Sequence, residues 1–349
     1  MQWQRVNKWR KLVKFIFWSL SGFLMILAFS AFPFLYASNS FTYMCLNREH
    51  LPLEQQHTIE VLLSKTVTSN CAGASWQLGE MRELNLMGTE LVDLTPLSSF
   101  NHLENLTLAN NLISDLTPLA ALTGLKSLEL SNNPISDLTP LSSLGNLKTL
   151  SLWNNGLTNL APLSALTGLN RLYLAQNSLT DLSPLSSLSN LNYLLLDQNK
   201  IRDITPLSSL KNLKGISLSN NLIKNLNSLS SLTQLKVLIG ERNNIRDLSP
   251  LSLLNELNLV ILNQNKIDDL TPLSSLKKLT VLYLNSNKIR DVSPLAEIEQ
   301  LQQIGLADNP IKDVNVLSSL ENLTKINLSN NSQLIASICP VHPETICQF

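Results

Sequence analysis

Apolar and polar positions follow one fixed order along most of this chain, typified by the stretch from Leu125 to Asn133, L-K-S-L-E-L-S-N-N, and its continuation through Ile135, Asp137, Leu138, Thr139, Pro140 and Leu141. The order returns every 22 residues between Met81 and Asn331. Proline keeps the same beat at Pro96, Pro118, Pro140, Pro162, Pro184, Pro206, Pro250, Pro272 and Pro294, with Ser228 and Val316 in the two other places. In each unit the leucines at the fourth and sixth places alternate with outward residues at the third, fifth and seventh, the period of a strand. Stacked units therefore build a parallel sheet with one face in a leucine core.

The remaining places predict how the chain returns. Asparagine holds the ninth place in eleven consecutive units, from Asn111 and Asn133 to Asn309 and Asn331. An inward amide there can donate to and accept from backbone groups that the bend would otherwise bury unpaired. Threonine followed by proline, as at Thr117 and Pro118, predicts a hydroxyl-capped start to a short 3₁₀ turn. Asp93, Asp115, Asp137, Asp181, Asp203, Asp247, Asp269, Asp291 and Asp313 each precede that turn and are read as turn caps rather than a calcium ladder. Asn159 and Asn225 in the same column fit capping and would weaken a row of charged ligands.

Period and pattern identify leucine-rich repeats. The expected fold is α/β: a right-handed solenoid, or horseshoe, with a parallel β-sheet on the concave face, short 3₁₀ segments on the convex face and a helical N-terminal cap. Twelve repeats of 22 span 81–331, and twelve strands at about 4.8 Å per step give a ladder of roughly 55 Å. One unit breaks the pattern: Gly240 takes a sixth place that should hold an inward leucine, leaving either a small void or room for a neighbour to fold in.

A stacked array exposes an apolar cross-section and a strand edge at each end, so the flanks are read as covers. Residues 38–80 form the N-terminal cap, with Leu53, Ile59, Leu62 and Leu63 at helical spacing and Trp76 and Leu78 leading into the first strand. Residues 332–349 form the C-terminal cap, in which Leu334, Ile335 and Ile338 precede Cys339. The chain has four cysteines, Cys45 and Cys71 before the array and Cys339 and Cys347 after it. They are read as one disulfide per cap in an oxidising compartment.

Charge changes the picture mainly at the start. Formal net charge is zero, but residues 1–14 hold Arg5, Lys8, Arg10, Lys11 and Lys14 and no acid, so the remainder carries 21 basic against 26 acidic residues. That balance argues against nucleic acid as a partner. Residues 15–37 are almost wholly apolar. Their length favours a transmembrane signal-anchor over a cleaved signal peptide. The basic head then places the N-terminus inside and the repeats outside a cell membrane, in single-pass topology. Secretion after cleavage is the alternative.

No catalytic set emerges. His50, His57, His102 and His342 are scattered, and neither a phosphate loop nor a nucleophile elbow occurs. No metal site, no cofactor and no enzyme activity are expected. Binding residues are sought instead in the outward columns of the sheet. One patch joins Trp153, Tyr173, Tyr193 and Leu195, with Arg171 and Asp197 beside it. Aromatic residues with an arginine have the composition of interface hot spots. A second, aliphatic patch joins Val237, Ile239, Leu259, Ile261, Val281 and Tyr283, with Glu241 nearby.

At its D-L-T-P-L-S-S-L and L-x-x-L-x-L-x-x-N-x-I signatures the chain resembles the bacterial internalin-type leucine-rich repeats over about 81–331. That resemblance implies a surface or secreted protein whose concave face grips a protein partner. The function expected is an exported, membrane-anchored protein-binding scaffold; the alternative is a cell-envelope adhesion or structural protein that binds glycan or self-associates.

Overall fold

Thirteen strands follow one another in the order of the sequence, each pairing in parallel with the next. The computed structural model describes residues 40–334 and 339–349. Segments 1–14 and 15–37 therefore lie outside the described residues, as do Ile335 and Ile338. Among the described residues no helix is long and apolar enough to cross a membrane.

Strands β1 (Glu83–Asn85) through β12 (Lys325–Asn327) hold the third, fourth and fifth places of the twelve repeats. Register is constant: Leu84 faces Leu106, Leu106 faces Leu128, and so on along the array. The fourth-place residue of every strand is buried, so a one-residue slip in any repeat would turn its core leucines toward water. Return segments carry one short 3₁₀ turn per repeat from Thr95–Leu97 to Asn315–Ser319.

The ninth-place asparagines fasten neighbouring repeats to each other. Asn177 Nδ2 donates to the carbonyls of Leu152 and Leu174 at 3.0 Å, while its Oδ1 accepts from the N–H groups of Asn155 and Leu157 at 3.1 and 2.9 Å. Asn199, Asn221, Asn243 and Asn265 repeat the scheme. Asn155 and Asn331 depart from it: their buried Oδ1 atoms have no hydrogen-bond partner. In both cases the preceding repeat has proline, Pro134 or Pro310, at its tenth place. At most other tenth places that residue's N–H ties back to the previous repeat, as Lys200 does to the Leu179 carbonyl at 2.9 Å; Gly156 has no such bond, yet Leu157 still meets the Asn177 oxygen. Proline has no such donor, so these two repeats lack both the tie and the contact to the following amide oxygen.

The turn caps are aspartates, not threonines. In the first eleven repeats the Asp carboxylate or Asn amide oxygen accepts from the backbone N–H two residues on, as Asp115 does from Thr117 at 2.8 Å and Asn159 from Ala161 at 2.9 Å. The residue at the cap position proper is apolar, Leu116 in that repeat, and Thr117 is already the first residue of the turn. The expected hydroxyl cap gives way to an Asx-type bond that starts one residue before the cap position and holds the N–H of Thr117 itself. Some hydroxyls serve the aspartate instead: Thr205 Oγ1 donates to Asp203 at 2.6 Å. That bond, with the Thr205 N–H, holds the Asp203 carboxyl below the ordinary aspartate value. A lowered folded-state pKa means the contribution is full above the unfolded value and disappears as pH falls through the folded one. Thr205→Val is expected to raise the Asp203 midpoint toward the ordinary value in a carbon-13 carboxyl NMR titration; an unmoved midpoint would remove the hydroxyl from this account.

Three helices make the N-terminal cap: α1 (Phe41–Leu46), α2 (Leu53–Ser64) and α3 (Cys71–Glu80). Helix α2 buries Thr58, Ile59 and Leu62, but Leu53 at its first position is 76% exposed and Leu63 only half-buried. Trp76 and Leu78, expected to lead into the first strand, lie on α3, where Leu78 is buried and Trp76 is 69% exposed. Asn70 starts that helix by accepting from the N–H groups of Ala72 and Gly73, a side-chain cap of the kind that fixes a helix start. Cys45–Cys71 joins α1 to α3. Cap and first repeat meet through Phe41 on Phe100, ring centroids 5.4 Å apart, and through Thr58 Oγ1, which donates to the Asp93 carbonyl at 2.7 Å.

The C-terminal cover is more than a stapled loop. Cys339–Cys347 closes it, and β13 (Cys347–Gln348) pairs with β12, placing a thirteenth strand on an edge where twelve were expected. Pairing satisfies the Leu328 N–H through the Gln348 carbonyl at 2.7 Å and shields the end of the ladder from another chain. The irregular unit at Gly240 is filled by its neighbours. A Cβ there would lie 3.1 Å from Leu262 Cδ2 and 3.6 Å from Ile245 Cδ1, so the core has closed over the missing leucine.

Candidate functional site

Third- and fifth-place side chains, together with those at the seventh place, face the concave side. Trp153 is 36% exposed and Tyr193 39% exposed, and Tyr173 and Leu195 are half-buried. These residues line the hollow of the coil instead of its core.

Tyr193 has a defined seat. Register places Arg171 on one side of it and Gly215 on the other. The Arg171 guanidinium lies 5.7 Å from the Tyr193 ring centroid, within cation–π range. On the opposite side the ring lies over Gly215, where an added Cβ would stand 2.9 Å from Tyr193 Cδ1. Glycine at this outward place is therefore what allows the tyrosine to lie flat along the sheet.

Trp153, Tyr173 and Leu195 line a hollow of about 490 Å³ together with Met87, Ala109, Asn110, Glu129, Ser131, Asn132, Ser151 and Ala175. The volume lies within the range of about 300–1,000 Å³ typical of ligand pockets. Its floor is made of small residues: Ser131 and Ser151 are buried, their hydroxyl oxygens 2.7 Å apart. Large side chains at 153 and 173 therefore stand above short ones. Arg171 and Tyr193 lie outside this lining. Asp197 does too: its Oδ1 accepts from the Ser219 N–H at 2.9 Å and from the Ser217 hydroxyl, so it braces the next repeat. Met87 and Glu129 were missed among the bulky positions, although both stand in the outward columns. The missing signal was lateral: Glu129 is a fifth-place residue two repeats before Tyr173.

The family described as Leucine Rich repeats (2 copies) matches residues 101–143, 123–165, 145–187, 167–209 and 254–297. An internalin (inlF) from Listeria monocytogenes is 29% identical with a TM-score of 0.70, the match covering 80% of this chain and 93% of that one. The chain has the leucine-rich repeat solenoid fold of the internalins. A leucine-rich repeat protein of Leptospira interrogans shares the fold at 23% identity and a TM-score of 0.56, with 78% and 82% of the two chains covered. So does the plant peptide hormone receptor RGFR1 in complex with RGF2, at 19% identity and a TM-score of 0.61, with 72% of this chain and 48% of the receptor covered. No curated protein matches the chain. Leucine-rich repeat proteins are protein-binding scaffolds, and the two cap disulfides suit an extracellular domain.

Further along the internalin-type array, Val237, Ile239, Leu259, Ile261, Val281 and Tyr283 are all half-buried. They form three adjacent rungs of the sheet, in register. Tyr283 leans over Gly305, as Tyr193 does over Gly215, and its hydroxyl donates to Gln303 Oε1 at 2.7 Å. Glu241 accepts from the Asn263 amide, so this acid, like Asp197, links two repeats. Among the described residues no group of three or more His, Cys, Asp or Glu side chains is placed to hold a metal ion.

Proposed function

We propose that the chain is an exported, membrane-anchored scaffold that captures a protein partner on its concave face between Trp153 and Tyr283. The observation that carries this reading is the hollow walled by Trp153, Tyr173 and Leu195, continued by Tyr193 under Arg171. A contiguous apolar patch left open on a protein with a complete core marks an interaction site, and aromatic anchors in such patches dominate binding energies. Anchoring rests on the apolar segment 15–37 behind its basic head. Mass spectrometry of the mature N-terminus tests that part: an intact segment supports the anchor and a chain starting near residue 38 supports secretion.

The binding test uses the full chain as bait in an extract of the native envelope, beside a variant in which Trp153, Tyr173 and Tyr193 are all alanine. Truncating one hot-spot aromatic costs about 2 kcal/mol or more of binding, so a partner held by three should be lost, with the circular-dichroism melt unchanged. Equal capture by the two proteins would refute the assigned face. The aliphatic rungs from Val237 to Tyr283 favour a second reading, an envelope adhesion or structural protein that binds glycan or itself. A concentration-dependent dimer in sedimentation would support that alternative.

A further inference from the structure

We propose that the hollow beside Trp153 receives a basic side chain, lysine or arginine, from the partner polypeptide; the inference rests on the concave face being the binding surface. The deciding residue is Glu129. It is half-buried in the wall of the hollow, and its Oε1 accepts from the Ser131 N–H at 2.8 Å. That bond draws the carboxylate toward the seventh-place row, in which Ser131 and Trp153 occupy equivalent places one repeat apart. The described ion pairs of the protein lie elsewhere, at Glu104, Asp268, Glu256 and Glu297. Arg171, the nearby cation, is engaged over Tyr193 and does not line the hollow. No basic residue is among those that do.

An apolar occupant alone would strip water from the Glu129 carboxylate and return nothing, a large penalty for a buried charge. A cationic occupant offsets that penalty. Its charge meets Glu129, and its head lies against the electron-rich faces of Trp153 and Tyr173, a contact that strengthens once desolvated. The methylene stem of lysine or arginine covers apolar surface behind the head, which suits Met87 and Leu195. A carboxylate at one wall and two aromatic rings at the others thus select charge and shape together.

The test uses the full chain and glycine pentapeptides whose central residue is lysine, arginine, norleucine or citrulline, with binding measured by calorimetry at low salt. Lysine and arginine peptides are expected to bind at least tenfold more tightly than norleucine and citrulline. Glu129→Gln should abolish that preference, and because its amide oxygen can still accept from Ser131, the local fold is retained; Trp153→Ala should abolish binding. Equal binding of lysine and norleucine peptides, an unchanged preference in Glu129→Gln, or no binding by any peptide would each overturn the assignment. Failure here is separable from failure of the binding face. If the triple alanine variant loses the envelope partner while Glu129→Gln keeps it at full affinity, the face stands and the cation site falls; if the triple variant keeps the partner, neither survives.

Discussion

Replacing Asn177 by alanine is expected to lower the free energy of unfolding by about 3 kcal/mol, although the change removes only one small polar side chain. Its amide donates to the carbonyls of Leu152 and Leu174 and accepts from the N–H groups of Asn155 and Leu157. Alanine would leave these backbone groups inside the solenoid with no water to replace the partner, and each buried group so stranded costs about 1–3 kcal/mol before relaxation. The loss should show as a lower midpoint in urea. Asn155→Ala should cost less, because the Asn155 Oδ1 already lacks a partner. Two equal losses would contradict the view that cross-repeat acceptance by the amide oxygen carries much of the stability. Function is tied to the same device: the Asn155 amide holds the Trp153 carbonyl at 3.2 Å, fixing the bend from which that ring projects.

The second large effect is expected at the N-terminal cap. Phe41 is fully buried and packs on Phe100 of the first repeat. Phe41→Ala should cost about 3–5 kcal/mol through lost burial and the cavity left behind. In a solenoid each repeat rests on its neighbours, so damage should begin at the first repeats and fade along the array. Hydrogen exchange is expected to accelerate most in β1 and β2 and least in β10 to β12. Uniform acceleration would show instead that the array unfolds as one unit whatever its caps do. Cys45–Cys71 keeps α1 attached to α3, so the variant should fray at the junction with the repeats and not come apart within the cap.

Much of this was legible in order along the chain. Strict spacing between leucines placed all twelve repeat strands, and the ninth-place asparagines and pre-turn aspartates were assigned their work from position alone. Such inferences succeed where the partner of a residue lies a constant distance away in sequence. They fail where partnership depends on what lies in the next repeat. Thr117 reads as a cap because hydroxyls often are, yet it is already the first residue of the turn, its own N–H held by the Asp115 oxygen. Trp76 reads as part of the approach to the first strand, but it lies on the helix begun at Asn70, which leaves it exposed. Glu129 passed unnoticed because its importance comes from Trp153, which stands 24 residues away in sequence.

The sequence by itself determined the solenoid: the period, the inward leucines, the polar fasteners and a concave face of outward columns follow from residues that repeat without exception or nearly so. Only the tertiary structure decided where that face becomes a hollow, which acids border it and which are bound to the neighbouring repeat, and how Leu262 and Ile245 close over Gly240. The physical reason is that periodic order defines each residue's direction, whereas lateral contact between repeats depends on side-chain size and hydrogen-bond competition at unlike positions. Glu129 and Asp197 belong to the same outward class by sequence. Packing gave Asp197 to two serines of the following repeat and left Glu129 at the wall of a pocket.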